Sequence, residues 1–104
     1  MATVSVFHNN GYRYSDNPEE FVAKNIDGYG LIGTWLTDLT GEKAAEDAFD
    51  MTNNPSREKE RELFWKTNRS ISVGDVVIVN NHSRLSYFLC MPVGWKNITD
   101  LLLT

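Results

Sequence analysis

Four consecutive β-branched residues, Val76-Val77-Ile78-Val79, constrain this chain more than any other feature. Such a run suits a pleated strand covered on both faces and resists a helix, where each branched side chain loses rotamer freedom. The run sits inside Arg69 to Ile98, RSISVGDVVIVNNHSRLSYFLCMPVGWKNI. Gly74-Asp75 before it and Asn80-Asn81 after it are breakers. A polar loop over Asn80 to Arg84 then leads into Leu85 to Met91. There Leu85, Tyr87, Leu89 and Met91 share one face, and Ser86, Phe88 and Cys90 share the other. Neither face is polar enough for open water, so helices are expected to cover the sheet. Pro92 cannot donate to a ladder and ends the strand. Gly94-Trp95 makes a corner, with Trp95 a lid on one end of the core.

The preceding residues read as elements laid against this hairpin. Thr3 to His8 alternates as a first strand, Asn9-Asn10-Gly11 turns, and Tyr12 to Ser15 is expected to return as a short strand. Asn17, Pro18 and Glu20 are the cap, first position and capping-box partner of a helix that Gly28 stops. Phe21, Val22 and Ile26 form its apolar stripe. Tyr29 to Leu39 reads as a strand with a glycine bulge, because a helix would absorb Gly30 and Gly33 at roughly 1 kcal/mol each. Glu42 to Thr52 is a second helix with Ala45, Ala48, Phe49 and Thr52 inward, ended before Pro55. Ser56 is the expected cap of a third helix, Arg57 to about Lys66, wet until Leu63, Phe64 and Trp65. Thr67-Asn68 links it to the hairpin, and the tail Ile98 to Leu103 is left open between a strand and a helical turn. The expected fold is therefore a single α+β domain spanning 1–104. It has an antiparallel sheet of about four or five strands, with two or three helices mainly on one face.

Composition narrows the function classes. At 41% hydrophobic and 12% aromatic residues, the 104-residue chain can bury one modest core and is not a disordered tail. It has no apolar run of about 18 residues and no basic-then-apolar leader, so a cytoplasmic location is expected. The net charge of −4 is uneven: residues 1–56 carry nine acidic against three basic side chains, and residues 57–104 five against seven. That acidic first half disfavours broad contact with a nucleic-acid backbone and leaves room for a protein partner.

No assembled catalytic set is visible, and the expectation is a non-enzyme. His8, His82 and Cys90 lack zinc-like spacing, so no metal or other cofactor is expected. A nucleophile–base pairing of Cys90 with His8 or His82 is arithmetically open, but Cys90 sits mid-strand as a packing residue. Gly28, Gly30 and Gly33 match a dinucleotide fingerprint in letters only, since no strand-to-helix context surrounds them. Two surfaces are candidates for binding. One is acidic, on the second helix and the loop after it: Glu46, Asp47, Asp50, Asn53 and Asn54. The alternative is an aromatic and basic sheet face for nucleic acid, built from Arg69, Arg84, Tyr87 and Trp95. Arg69, Ser70, Ser72 and Asp75 also have a structural reading, in which Asp75 and Arg69 lock the turn at a strand entry.

Two segments carry a resemblance. AFDMTNNP over 48–55, and NRSISVGDVV over 68–77 with Tyr87, Cys90 and Val93-Gly94-Trp95 after it, resemble small uncharacterised proteins of bacteriophages and conjugative elements. The resemblance covers roughly the C-terminal half and implies a mobile-element origin with no catalytic residues to carry over. A fainter one, of GTWLTDLT over 33–40 to acidic plasmid antirestriction proteins, is set aside because this chain is too short and not acidic enough. The combined expectation is an accessory protein that binds and modulates a host protein or complex, in defence or transcription.

Overall fold

The computed structural model describes residues 1–13, 15–65 and 69–103. It is an α+β domain built on one five-stranded antiparallel sheet, β2-β1-β3-β4-β5. The strands are β1 (Ala2–His8), β2 (Gly30–Thr37), β3 (Val76–Asn81), β4 (Arg84–Cys90) and β5 (Trp95–Asn97). The helices are α1 (Pro18–Asn25), α2 (Gly41–Asn53), α3 (Glu58–Phe64) and α4 (Thr99–Leu103). Among the described residues, none of these helices is long and apolar enough to cross a membrane.

The branched run becomes β3 and is covered on both faces, as its composition demands. Val77 and Val79 join Ala2, Val4, Val6, Phe88 and Cys90 on the first face, where Ala44, Ala45, Ala48 and Met51 of α2 close over them. Val76 and Leu89 point to the second face and pack with Val22 of α1 and Ile98 beside α4. The heavier cover, α2 with Trp65 after α3, lies on the first face, as expected. The lighter cover, α1 and the short α4, lies over β4 on the second.

Several local expectations are met by specific bonds. Asn17 caps α1 by accepting the Glu20 amide at 3.2 Å. β2 carries a bulge: Val6 lies opposite Gly33 and Phe7 opposite Leu31, so Ile32 is the extra residue. Gly33 is needed there, since a Cβ would come within 2.8 Å of the Trp65 ring. Met91 N–H donates to the Gly94 carbonyl at 3.0 Å and closes the Pro92–Gly94 corner. The undecided tail is helical, because Asn97 accepts the Thr99 amide at 3.0 Å while the Thr99 hydroxyl accepts from Tyr87 N–H at 2.9 Å.

Other expectations are corrected. Tyr12 and Arg13 are not strand; Tyr12 N–H turns back to the Asn9 carbonyl and Asp16 N–H to that of Arg13, while Tyr14 lies outside the described residues. The β3–β4 loop is not five residues but two, His82 and Ser83, both at positive φ (54° and 68°). A two-residue turn of that hand matches the strand twist, so Asn80 and Asn81 stay paired, with Leu85 and Arg84. In α2 the buried residues are Ala44, Ala45, Ala48, Met51 and Thr52; Phe49 is partly exposed and meets Trp95 edge-on at 6.4 Å. The turn before α3 is capped by Asn54, which accepts the Ser56 amide, rather than by Ser56. Leu63 and Phe64 stay exposed while Trp65 is buried. The expected helix end at Lys66 and the Thr67-Asn68 link lie outside the described residues.

Leu89 and Leu36 separate a packed position from an open one, at 0% and 63% exposure. Leu89→Ala is expected to lower unfolding stability by about 2–5 kcal/mol. Leu36→Ala should leave it within roughly 0.5 kcal/mol. Urea titration of both variants checks the pair.

Candidate functional site

Asp75 sits where a turn feeds β3, and its side chain is 1% exposed. A carboxylate so deep needs several partners, and it has them. Arg69 holds it with two parallel bonds, Nη1 to Oδ2 at 2.7 Å and Nη2 to Oδ1 at 3.0 Å. The Ser72 backbone N–H donates to Oδ2 at 3.0 Å, and His8 Nδ1 lies 3.1 Å from Oδ1. Arg69 also reaches the Ser72 hydroxyl at 2.8 Å, and its own carbonyl accepts Trp65 Nε1–H at 2.8 Å. The turn-locking pair read from the sequence is thus one side of a larger cluster. His8, 67 residues from Asp75, adds the end of β1 to it.

The cluster forms one wall of a cleft of about 700 Å³, whose other walls include Asn10, Tyr12, Asp16 and Pro92. The second nitrogen of His8, Nε2, lies 2.6 Å from Asn10 Oδ1, so both ring nitrogens are engaged. Beside the cleft, Gly74 adopts φ 94° and leaves no room for a Cβ, which would fall 2.6 Å from the Tyr12 ring. The Tyr29 hydroxyl donates to the Gly74 carbonyl at 2.7 Å. Its pKa is pushed up to about 12, first by burial and then by the charge of Asp75. Burial likewise pushes the Cys90 thiol up to about 12, with Asp75 adding to the rise and Arg69 opposing it. The Cys90 sulfur reaches the Met91 carbonyl at 4.0 Å. His82 stands on the exposed β3–β4 turn, at the other end of β4 from Cys90.

The acidic surface is organised around a cation. Arg57 Nη1 bonds Asp47 at 2.8 Å and Asp50 at 3.0 Å, while Nη2 bonds Glu60 at 2.6 Å. These bonds hold the guanidinium above its ordinary pKa, Glu60 contributing most, and hold the Glu60 carboxyl below its own. Asn53 donates to the carbonyls of Phe49 and Ile71, and Asn54 caps the following turn. Four of the five candidates there are therefore engaged in the fold, and among the described residues Glu46 makes no such bond. The alternative nucleic-acid set does not form one face. Tyr87 belongs to the second face and Trp95 to the first, Arg69 is bound to Asp75, and Arg84 lies at the tip of the hairpin.

Sequence reading missed the outer edge of β2. Gly30–Thr37 carries no charged residue, and among the described residues no strand pairs with its outer side. Leu31 and Leu36 project from it at 56% and 63% exposure, on the second face. On the first face Phe64 lies 6.4 Å from Trp35 with its ring partly open, next to exposed Leu63. The signal was present as an uncharged eight-residue run. Compared with family models, curated proteins and solved structures, the chain finds no match.

Arg69→Ala strips Asp75 of its bidentate partner. Because the guanidinium is over a third exposed, the expected loss is roughly 3 kcal/mol, the low end for a buried pair; thermal unfolding beside Arg69→Lys measures it. Cys90 and Tyr29 give a pH signature. Both protons are held more tightly when folded, so their contribution is complete below pH 9 and is lost as pH rises toward 12. Native Cys90 should react with iodoacetamide far more slowly than the unfolded chain at the same pH, which mass spectrometry reads directly.

Proposed function

We propose that this chain is a non-enzymatic accessory protein, of the kind phages and conjugative elements encode, that binds and modulates a host protein or complex. The binding element in this reading is strand β2, which takes up an extended segment of its partner as an added strand. The observation that carries it is the contrast between the two edges of the sheet. β5 is three residues long and carries Lys96, paired with Glu19 at 2.7 Å. Short, charged edges are how sheets discourage pairing with other chains. β2 is eight residues long, uncharged and flanked by Leu31, Leu36, Leu63 and Phe64. Backbone groups on such an edge give affinity, and the alternating side chains beside it give selectivity.

The rest of the molecule is consistent with a binder rather than a catalyst. The Cys90 thiol is buried and held protonated, and both nitrogens of His8 are engaged by Asp75 and Asn10. The separation of Tyr87 from Trp95 across the sheet removes the common surface on which the nucleic-acid reading depended.

Capture from lysate of the cells that carry the gene tests the proposal, with nuclease and two salt concentrations as arms. Wild-type protein should retain one partner through nuclease and salt, and show slowed amide exchange over residues 30–37. Leu31→Lys with Leu36→Lys should lose it, both positions being exposed in the free protein. A partner kept by that double variant, or recovered only through nucleic acid, would overturn the assignment to β2.

A further inference from the structure

We propose that Asn10 is a self-modification site, whose carboxamide is lost to attack by the Gly11 backbone nitrogen with His8 as the assisting acid. Asn10-Gly11 is the one Asn-Gly pair in the chain, and every other asparagine precedes a residue with a side chain. Without a Cβ, Gly11 leaves its nitrogen open to close approach by the preceding side chain. Both residues are exposed, so water reaches them. Three contacts then act on the reacting atoms. His8 Nε2 lies 2.6 Å from Asn10 Oδ1, while Asp75 Oδ1 holds the opposite ring nitrogen at 3.1 Å. With an oxygen facing each nitrogen, Nε2–H donates to the Asn10 side-chain carbonyl and supports the oxyanion that forms there. A carboxamide turned end for end would set its leaving nitrogen against the same ring atom. The Gly11 N–H, whose proton must leave, points at Asn9 Oδ1 at 2.8 Å. Arg13 Nη1 donates to the Asn10 main-chain carbonyl at 3.3 Å, drawing electron density from the peptide that gives up that proton.

The step balances with water alone. The Gly11 nitrogen releases its proton to water and bonds to Asn10 Cγ, and the Cγ–Nδ2 bond breaks as His8 protonates the departing ammonia. Solvent water opens the cyclic imide at either carbonyl, leaving aspartate or isoaspartate at position 10, and a proton returns to His8. Water is consumed and ammonia released. Each chain reacts once, so this is ageing of the protein and not turnover, and it stands apart from the reading of β2. Its effect falls on the cleft that Asn10 lines. A neutral wall gains a carboxylate against His8, whose other nitrogen already faces the carboxylate of Asp75. The isoaspartyl form also adds a carbon to the main chain between β1 and α1.

Peptide mapping of the purified protein, kept folded at neutral pH in heavy-oxygen water, tests it. Label should enter at position 10 before any other asparagine. His8→Gln, confirmed as folded by circular dichroism, should slow that entry about tenfold, a part of what a positioned acid–base group supplies. Gly11→Ala keeps His8 and should slow it at least as much, because a Cβ crowds the approach to the nitrogen and would itself lie 3.1 Å from Asn9 Oδ1. Folded wild type should also react faster than the same chain unfolded in guanidinium, since the fold holds the imidazole against the carboxamide. That comparison needs no variant. Label entering another asparagine first, equal rates in folded wild type and folded His8→Gln, or a faster reaction in the unfolded chain would each overturn the proposal.

Discussion

The buried carboxylate of Asp75 is the constraint on which the rest of the structure depends. It stands at the entrance to β3, the central covered strand, and its own backbone continues the ladder, accepting Cys90 N–H at 2.9 Å. Taking that charge out of water is costly unless bonds replace the lost solvation. Each bond that does so draws in a different part of the chain. Arg69 brings in the start of its own turn, the Ser72 amide closes that turn, and His8 ties in the end of β1. The Arg69 carbonyl, holding the Trp65 indole, extends the same anchoring to the first-face core. One acidic side chain thus ties its own turn, Arg69 to Asp75, to the end of β1.

That anchoring fixes one end of the sheet and leaves its distribution of cover to the helices. The cover is unequal across the five strands, and small domains hide a smaller share of their surface than large ones. α2 is the longest helix and covers the first face from β1 to β5. On the second face α1 and α4 reach β4, and the β1–β2 side of that face stays open, with Thr3, Ser5 and Thr34 as its polar floor and Leu31 and Leu36 as its apolar rim. The open edge follows from limited cover as much as from the residues of β2.

Much of this architecture was legible, and the reason is local chemistry. The branched run, the alternation of β4, the Asn17-Pro18 helix start and a bulge within Tyr29 to Leu39 each act within a few residues, so sequence shows them, although the extra residue is Ile32 and not a glycine. The Arg69–Asp75 pair was legible on the same terms, being six residues apart. What was not legible is long-range. Nothing in Thr3 to His8 marks His8 as a partner for a carboxylate 67 residues away. Asp47 and Asp50 read as an open acidic surface because Arg57, which lies beyond Pro55, folds back to them only through the turn. Phe49 looked inward by periodicity, yet it lies partly exposed against the Trp95 ring at the β5 end of the sheet while Met51 is buried.

The shift from α2 to β2 as the candidate surface follows from what each offers a partner. An acidic patch already holding an arginine has satisfied much of its electrostatic demand internally, and exposed ion pairs contribute little further. An edge strand has no such internal partner, for its outward N–H and C=O groups are left to water whatever the side chains do. Water satisfies them, so the free protein folds without penalty. It does nothing for the leucines beside them, whose exposed area is removed only when another strand arrives. Backbone and side chains therefore favour the same event, and the absence of charge from Gly30 to Thr37 leaves nothing in the strand to oppose it. Of the surfaces the described residues present, the uncovered edge is the one whose composition most favours contact with another polypeptide.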